Sequence, residues 1–542
     1  MEKHSFRRLG TMIDCSRGAV MTVGTVKKWI DTTSDLGYNT LMLYTEDTYE
    51  IDGQPYFGYL RGRYSQKELQ EIDNYAASKG MELIPCIQTL AHLESIFRWW
   101  KAYHEIQDYG SVMLVGEEKT YELIDAMFAT LHKCFRSRIV NIGMDEAHML
   151  GRGQYLDLHG YEDRFDILLN HLQRVAEIAK KYGFELIMWG DMFFRLLNHD
   201  IIGDYYNSEN TMPEKVRELI PDNVNLIYWD YYSQDQARYE KCIRSHAAIK
   251  DNIWFAGGLW TWTGFAPHNQ FSMAATKAAF NACLDNGVQD VFLTIWGDDG
   301  AECGKFTILP SLYYASEIAK GNNDMQTIKA GFEQKFGIAF DDFMLLDLIG
   351  TPNDNPDIVN PERYMLFNDC FMGILDSTIE EEGMSQSYIP CAEKLKALEN
   401  NKEYGYLFAT MRSLCDVLSI KFELGAQTRK AYDAKDMDAL RAVVEKYNRL
   451  LELLDVFYDR FRTQWFTENK PNGFELHDIR LGGLIQRVKH CRDRLSTYIA
   501  GEIDTLSELD EHLLDDSGNG TNFERKPKLY QAWALNAIID VI

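Results

Sequence analysis

The chain has 542 residues, of which 46% are apolar, with a formal net charge of −26 at pH 7 and an isoelectric point near 4.9. This length predicts two to four domains, and the apolar share supports a large core, which excludes wholesale disorder. So acidic a chain repels polyanions, and we therefore expect no nucleic-acid partner.

The N-terminal segment MEKHSFRRLG is charged and lacks the apolar stretch of a signal peptide. No segment approaches 18 uninterrupted apolar residues, so we expect no membrane span and a cytoplasmic location. The ten cysteines are spread singly along the chain, without a CxxC pair. This distribution indicates reduced, buried thiols rather than disulfides or a zinc site.

From residue 10 to about residue 320, apolar strand-like runs alternate with amphipathic helical stretches. The eight runs begin at Thr11, Thr40, Leu83, Ile139, Leu186, Asn225, Ile253 and Val291. The helical stretches follow Gly24, open at Ser65 with a capping-box pattern, and continue near 120–134, 164–181, 235–248, 271–285 and 308–319. Eight such units predict an α/β fold, a closed (β/α)8 TIM barrel. A doubly wound open sheet is the alternative, but no Gly-rich dinucleotide fingerprint follows the first run.

After about residue 325 the strand-like runs stop and helical patterns begin. Apolar residues step by three and four from Leu407 to Leu418, and again from Val443 to Phe461, which marks one buried face on each of two helices. We therefore predict a catalytic barrel over residues 1–325 and a mainly α-helical C-terminal domain over residues 326–542.

Three further segments of the C-terminal part are rich in loop-forming residues. Two are predicted loops and one a surface turn: 351–361, 467–474 and 515–522. The overlapping segment 465–483 is dense in polar and aromatic residues. We interpret it as a turn packed on the barrel, with a place at a pocket rim or a subunit contact as the alternative.

The predicted strands end in polar and aromatic residues, at the face of a TIM barrel where active sites lie. Six of the eight strand ends carry acids and four carry Trp or Tyr. The candidates are Asp14, Arg17, Glu46, Asp47, His92, Asp145, Glu146, His148, Trp189, Asp191, Tyr228, Asp230, Tyr232, Trp260, Trp262, Trp296, Asp298, Asp299 and Glu302. Carboxylates accept hydrogen bonds from hydroxyls and Trp faces stack on sugar rings, so this ring of residues predicts a sugar pocket.

Other interpretations of these residues compete with the sugar pocket. Asp191 is equally well explained as the cap of the following helix, and Glu46 and Asp47 as members of loop salt bridges. Clustered carboxylates also suit Mg²⁺, but the strand ends contain no HxH, HExxH or clear DxD pattern. A serine triad is disfavoured because GxSxG is absent. We expect neither a metal nor a cofactor.

The fourth run continues as NIGMDEAH, residues 141–148. An apolar strand followed by Gly, a variable residue and Asp-Glu resembles the active-site signature of glycoside hydrolase family 20, the β-N-acetylhexosaminidases. Further strand ends are similar to the family in the same order, namely Arg17, His92, Trp189, Tyr228-Trp229-Asp230 and Trp296-Gly297-Asp298. The resemblance covers residues 10 to about 320.

The resemblance implies an exo-acting, retaining enzyme that removes terminal β-linked N-acetylglucosamine or N-acetylgalactosamine. The acetamido carbonyl of the substrate would attack the anomeric carbon and form an oxazolinium intermediate. Glu146 would act as acid and then base, in a buried setting that keeps it protonated. An ionised Asp145 would accept the acetamido N–H. Tyr228, with Tyr232 as the alternative, would orient the carbonyl.

The resemblance also implies a set of binding residues. His92 would tune the acid or hold its loop. Trp189, Trp260 and Trp296 would enclose the acetamido group and stack on the sugar ring. The side chains that would bind the 3-, 4- and 6-hydroxyls are Arg17, Asp230, Asp298 and Glu302.

Two departures from the family pattern stand out. The barrel begins near residue 10, without the α/β domain that many members carry before it, and Asp298 rather than Glu closes the eighth strand. With the helical C-terminal domain, both features resemble the subgroup that includes hexosaminidase D and its bacterial relatives. The competing hypotheses are a β-glycosidase without acetamido dependence and a sugar-binding protein. We expect a small oligosaccharide or glycoconjugate glycan as substrate, and homodimerisation is left open.

Overall fold

The computed structural model of the chain describes residues 6–197, 214–351, 360–379 and 382–514. Within these residues, eight parallel strands close a barrel in which each strand pairs with its neighbours along the chain. They are β1 (Arg8–Asp14), β2 (Thr40–Tyr44), β3 (Glu82–Cys86), β4 (Ile139–Asn141), β5 (Glu185–Trp189), β6 (Val224–Trp229), β7 (Ile253–Gly258) and β8 (Asp290–Ile295). Each predicted apolar run coincides with one strand, so the TIM-barrel prediction is confirmed.

Pairing of β1 with both β2 and β8 closes the barrel. Gly10 to Asp14 pair in register with Thr40 to Tyr44, and Arg8 to Ile13 with Asp290 to Ile295. Residues of β2 and β8 are buried along their whole lengths, because helices cover one face and side chains fill the interior on the other. The carboxyl ends of all eight strands therefore meet at one rim of the barrel.

Helices alternate with the strands as predicted. The helix Gln66–Ser78 begins with the expected capping box, in which Ser65 and Glu68 each bond the other's backbone N–H. The other barrel helices are Val23–Leu36, Glu118–Cys134, Arg164–Lys181, Asp191–Leu197, Glu214–Leu219, Gln236–Ala247, Asn269–Asp285 and Leu309–Ala319, with short helices at Glu94–Phe97, Trp100–Tyr103 and Gln154–His159. A small antiparallel hairpin, Gln107–Tyr109 with Val112–Met113, was not predicted.

The chain divides into two compact units. The first unit comprises residues 1–259, 271–297 and 311–328, and the second comprises residues 260–270, 298–310 and 329–542. All eight barrel strands belong to the first unit, whereas the segments that follow β7 and β8 belong to the second. The predicted domain boundary at residue 325 stays a prediction.

The second unit is mainly helical, as predicted. Its long helices are Gly405–Asp433, Met437–Glu468 and Phe474–Ile499, with shorter ones at Phe340–Phe343, Pro361–Phe367, Tyr388–Lys396 and Ser507–Asp510. The helix Met325–Phe336 begins in the first unit and ends in the second. The predicted apolar faces are buried, with Leu407, Leu450 and Phe461 fully inaccessible. Of the loop predicted at 467–474, only residues 469–473 lie outside helices, and buried Trp465 packs on Phe474 across it. The interpretation of residues 465–483 as a turn is wrong, because most of them belong to the helices Met437–Glu468 and Phe474–Ile499.

The predictions for cysteines and two loops can be compared with the described residues only in part. All ten cysteines are buried thiols, as expected. Among the helices of the described residues, none combines the length and apolar character needed to cross a membrane. The surface turn predicted at 515–522 and most of the loop predicted at 351–361 lie outside the described residues.

Candidate active site

The residues that follow β4 form a tight turn, which we call the carboxylate turn (residues 143–146). Gly143, Met144 and Glu146 have φ angles of 73°, 69° and 50°, all in the left-handed region. Non-glycine residues adopt this region rarely, at a cost of about 1–3 kcal/mol each, and only where the surroundings hold them there. Met144 and Glu146, one on each side of Asp145, therefore indicate that the surroundings hold this backbone in place.

Three buried side chains bond to the backbone of the carboxylate turn. Asn141 Oδ1 accepts a hydrogen bond from the Gly143 N–H at 3.0 Å, and Gln88 Oε1 accepts one from the Met144 N–H at 3.1 Å. Asp191 Oδ2 accepts one from the Glu146 N–H at 3.0 Å. These bonds satisfy the buried amide groups that a left-handed turn cannot pair within a strand or helix.

His92 joins the two acids of the turn. Its Nε2 atom lies 3.2 Å from Asp145 Oδ2 and 3.5 Å from Glu146 Oε2. Burial disfavours the imidazolium, but the charge of Asp145, the hydrogen bond to Asp145 and the charge of Glu46 together outweigh burial and raise the pKa of His92 to about 10. Burial likewise disfavours ionised Asp145, yet His92 and hydrogen bonds from His92 and Gln88 lower its pKa. The pair is therefore ionic at neutral pH.

The two acids differ in exposure. The Asp145 side chain is 12% exposed, whereas that of Glu146 is 34% exposed. The buried setting expected for Glu146 is therefore not found, and its carboxyl group is open to solvent. Both Asp145 oxygens are engaged, since Gln88 Nε2 donates to Oδ1 at 2.6 Å and His92 holds Oδ2.

A second charged pair lies at the ends of β1 and β2. Arg17 Nη1 donates to Glu46 Oε1 at 2.8 Å, and Tyr44 donates to the same oxygen at 3.1 Å. Burial raises the pKa of Glu46 to about 7, with Arg17 and His92 opposing the rise. Gln88 Nε2 also donates to the Tyr44 hydroxyl at 2.9 Å, so a chain of hydrogen bonds links Arg17 to Asp145.

Aromatic rings at or just beyond the carboxyl ends of β5, β6 and β8 pack near one another in the first unit. The ring centroids of Trp189 and Trp296 are 6.2 Å apart, and Trp296 meets Tyr44 edge-on at 4.8 Å. Tyr231 is buried, stacks on Trp229 at 5.1 Å, and its hydroxyl bonds to the side chains of Trp296 and Thr294. Burial is the main cause of its raised pKa, and the Asp145 charge adds to the rise.

The two tyrosines predicted to orient the acetamido carbonyl, Tyr228 and Tyr232, have different surroundings from Tyr231. Tyr228 is fully buried against Tyr239 and His246 of the helix Gln236–Ala247. Its hydroxyl donates to Asp230 Oδ2 at 3.1 Å, and Arg238 Nε donates to the same oxygen at 3.1 Å. Tyr232 is 48% exposed. Asp230 is thus held in an ion pair with Arg238, and Tyr228 faces the helical layer.

The remaining predicted binding residues belong to the second unit. Trp260 is buried and stacks on Trp262 with ring centroids 4.5 Å apart. Glu302 is buried and ion-paired with Arg363 at 2.7 Å and with Arg480 at 3.3 Å. Asp298 is partly exposed. Both oxygens of Glu302 are occupied by arginine in this arrangement.

Within the first unit, the structure brings His92, Asp145 and Glu146 into direct contact and links Arg17 to them. Sequence reasoning missed Gln88 and Tyr231 and left Asp191 undecided. Gln88 was detectable as a polar residue just beyond an apolar strand. Tyr231 lies two residues beyond the end of β6, between the candidates Asp230 and Tyr232, and that position is the signal that could have found it. In the described residues, no group of three or more His, Cys, Asp or Glu side chains is arranged to hold a metal.

A barrel that carries two neighbouring acids at the carboxyl end of a strand has the two carboxyl groups that most glycoside hydrolases use. Residues 4–252 match the family described as glycosyl hydrolase family 20, catalytic domain. Residues 341–526 match the glycoside hydrolase 20C C-terminal domain. Together these matches cover well over half of the chain, which belongs to glycoside hydrolase family 20. The resemblance inferred from residues 141–148 is thereby confirmed.

Individual relatives are distant. Hexosaminidase D of Bos taurus is 24% identical over 240 residues, which are 43% of this chain and 63% of the relative. Hexosaminidase D of Homo sapiens is 24% identical over 204 residues, or 36% of this chain and 39% of the relative. The chain thus spans less than two thirds of the length of either. A solved β-N-acetylhexosaminidase from Bacteroides fragilis is 20% identical, with a TM-score of 0.45 over 61% of this chain and 71% of that one.

Proposed function

We propose that this protein is an exo-acting, retaining β-N-acetylhexosaminidase that removes terminal β-linked N-acetylglucosamine or N-acetylgalactosamine by substrate-assisted catalysis. The observation that carries the proposal is the pair Asp145 and Glu146 on one turn, the first buried and ionic with His92, the second open to solvent. Two neighbouring acids in such different settings suit two different roles in glycoside hydrolysis.

Asp145 suits electrostatic support better than nucleophilic attack. Both of its oxygens accept bonds, from Gln88 and His92, which lowers their nucleophilicity and holds the carboxylate in place. In the proposed mechanism this carboxylate orients the acetamido N–H and stabilises the positive charge that develops on the acetamido group. The nucleophile is then the acetamido carbonyl oxygen of the substrate, which yields an oxazolinium intermediate.

Glu146 suits the acid and base role. Its exposed carboxyl group can exchange protons with solvent, and His92 lies 3.5 Å from Oε2. In the first step the protonated carboxyl group donates to the glycosidic oxygen. In the second, the carboxylate takes a proton from the water that opens the oxazolinium ring, with net retention of configuration.

For the hydroxyl that orients the acetamido carbonyl, packing favours Tyr231 over the predicted Tyr228. The Tyr231 hydroxyl bonds to Trp296, and the charge of Asp145 contributes to its raised pKa. The Tyr228 hydroxyl instead bonds to Asp230, and the Tyr228 ring packs against the helix Gln236–Ala247. Trp189 and Trp296 are the proposed walls of the acetamido pocket.

The remaining binding roles are proposals of the same kind. Arg17, anchored by Glu46 and 28% exposed, suits hydroxyl binding at the end of β1. The predicted roles of Asp230, Trp260, Asp298 and Glu302 in binding the sugar stay predictions. So do the cytoplasmic location and the homodimer, which cell fractionation and analytical ultracentrifugation would test.

The acid role of Glu146 can be tested with leaving groups of different basicity. Glu146→Gln is expected to slow an alkyl β-N-acetylglucosaminide by about 10²–10⁴-fold, because its leaving oxygen needs a proton. An aryl glycoside with an acidic phenol needs little assistance and should lose much less. Glu122→Gln, on the exposed face of the helix Glu118–Cys134, is the matched control. Equal losses on both substrates would remove Glu146 from the acid role.

A further inference from the structure

Two buried side chains, Gln88 and Asp191, bond directly to the backbone of the carboxylate turn. We infer that Gln88 and Asp191 are positioning residues, which hold Met144 and Glu146 in left-handed backbone conformations and thereby set the directions of the Asp145 and Glu146 carboxyl groups. The inference rests on the proposed function and extends it to residues that act through the carboxylate turn.

Gln88 makes three hydrogen bonds through one amide group. Its Oε1 atom accepts from the Met144 N–H at 3.1 Å, while Nε2 donates to Asp145 Oδ1 at 2.6 Å and to the Tyr44 hydroxyl at 2.9 Å. Only one orientation of the amide satisfies both a backbone donor and a carboxylate acceptor. The side chain therefore couples the backbone of one residue to the carboxylate of the next.

Gly143 reflects the same close approach. A Cβ atom at this position would lie 2.0 Å from Gln88 Oε1, and φ is 73°. Any larger residue would displace the Gln88 amide or relax the turn. Gly143, the glycine of the family signature, therefore leaves the space that the Gln88 side chain occupies.

Asp191 holds the other end of the turn. It is fully buried, and its Oδ2 atom accepts from the Glu146 N–H at 3.0 Å, while Trp229 Nε1 lies 3.5 Å from Oδ1. Removal of this carboxyl group would leave the Glu146 N–H without its acceptor. The turn would then relax toward ordinary backbone angles, which would redirect the Glu146 side chain.

Asp191 is tested by two substitutions assayed on an aryl β-N-acetylglucosaminide, with thermal melting alongside. Asp191→Ala is expected to lower kcat about 100-fold with little change in KM, because small displacements of reacting groups are costly. Asp191→Asn keeps an oxygen acceptor and should stay within about tenfold of the wild type. The exposed Asp157→Ala is the control. Equal kcat losses in the Ala and Asn variants would overturn the role of Asp191.

Gln88 is tested by Gln88→Glu, which places a second carboxylate against Asp145. The acidic limb of the pH–rate profile is expected to move to higher pH, since adjacent carboxylates do not ionise independently. A role in folding alone would lower Tm and leave that limb in place. Gln173→Glu, at an exposed helix position, serves as control. An unmoved acidic limb would overturn the role of Gln88.

Crystal structures of Asp191→Ala and Gln88→Ala, which both remove the acceptor of a turn N–H, provide a readout that does not depend on activity. Loss of the left-handed conformation at Glu146 or Met144 supports the inference, and its retention in both variants overturns it. If the wild-type protein hydrolyses no β-N-acetylhexosaminide, the proposed function fails, and these structures still decide whether the two side chains position the turn.

Discussion

The imidazole of His92 forms an ion pair with the carboxylate of Asp145, with 3.2 Å between Nε2 and Oδ2. The contact ties the loop after β3 to the turn after β4 and keeps a cation beside both acids. It also helps to explain how a carboxylate that is almost fully buried can stay ionised at neutral pH, because the charge of His92 and the hydrogen bonds from His92, Gln88 and the backbone together outweigh the loss of solvation.

Replacing His92 with Gln should change both catalysis and stability. Without the imidazolium the pKa of Asp145 rises, so the acidic limb of kcat/KM should shift to higher pH. The exposed His490→Gln is the control.

The stability effect of His92→Gln has a predicted pH window. The raised pKa of His92 contributes stability that is complete below its ordinary value of 6.5 and is lost as pH rises through about 10. The lowered pKa of Asp145 contributes stability that is complete above its ordinary value of 3.8. Urea midpoints of wild type and variant should therefore differ most between these two ordinary values. A difference that is largest above pH 10 would contradict the ion pair.

Replacing Glu46 with Gln should give a difference in stability that depends on pH. Burial raises the pKa of Glu46 from 4.5 to about 7, so between these values the folded state binds a proton that the unfolded state has lost. Stability from this group therefore falls as pH rises through the window. The Tm of Glu46→Gln relative to wild type should rise between pH 5 and pH 8, and a constant difference would refute the assignment.

Replacing Tyr231 with Phe should reduce kcat on an aryl β-N-acetylglucosaminide by about 10–10²-fold, because one hydrogen bond to the reacting carbonyl is lost. Tyr228→Phe is the matched comparison. It removes the bond to Asp230 and the contact with Cys242, and should lower Tm with little effect on kcat. The reverse ranking of the two variants would return the orienting role to Tyr228.

The barrel was predictable from the sequence because its strands are buried on both faces and stand out as apolar runs such as TLMLY from Thr40. The pairing of His92 with Asp145 was not predictable, since it depends on the backbone path after each strand. The left-handed angles at Met144 and Glu146 carry no signal in residue type. The strand-end search favoured charged residues, which is why the neutral Gln88 escaped it.

The sequence also could not show which tyrosine near the end of β6 lies beside the proposed site. Alternation along β6 puts Tyr228 with the helix-facing residues and Trp229 with the interior. The family pattern pointed to Tyr228 by order in the chain, whereas the register of the strand decides which ring reaches the interior. The contacts of Tyr228 with His246 and of Trp229 with Asp191 show which side of the strand each residue takes.

In the second unit, Arg363→Ala should lower the free energy of unfolding by about 3–5 kcal/mol, because Glu302 loses a fully buried partner at 2.7 Å. Chemical denaturation of the whole chain measures the change. The control is Arg441→Ala, which breaks an exposed pair with Asp438 and should have a small effect. Similar losses in both variants would show that burial does not set the strength of the Glu302 pair.

The most direct test of the account compares turnover of an aryl β-N-acetylglucosaminide with that of the matching aryl β-glucoside by the wild-type protein. If the acetamido group supplies the nucleophile, only the first substrate should be hydrolysed, and Asp145→Asn should abolish most of that activity. Comparable turnover of both substrates would contradict the substrate-assisted mechanism and indicate a β-glycosidase with a nucleophile of its own.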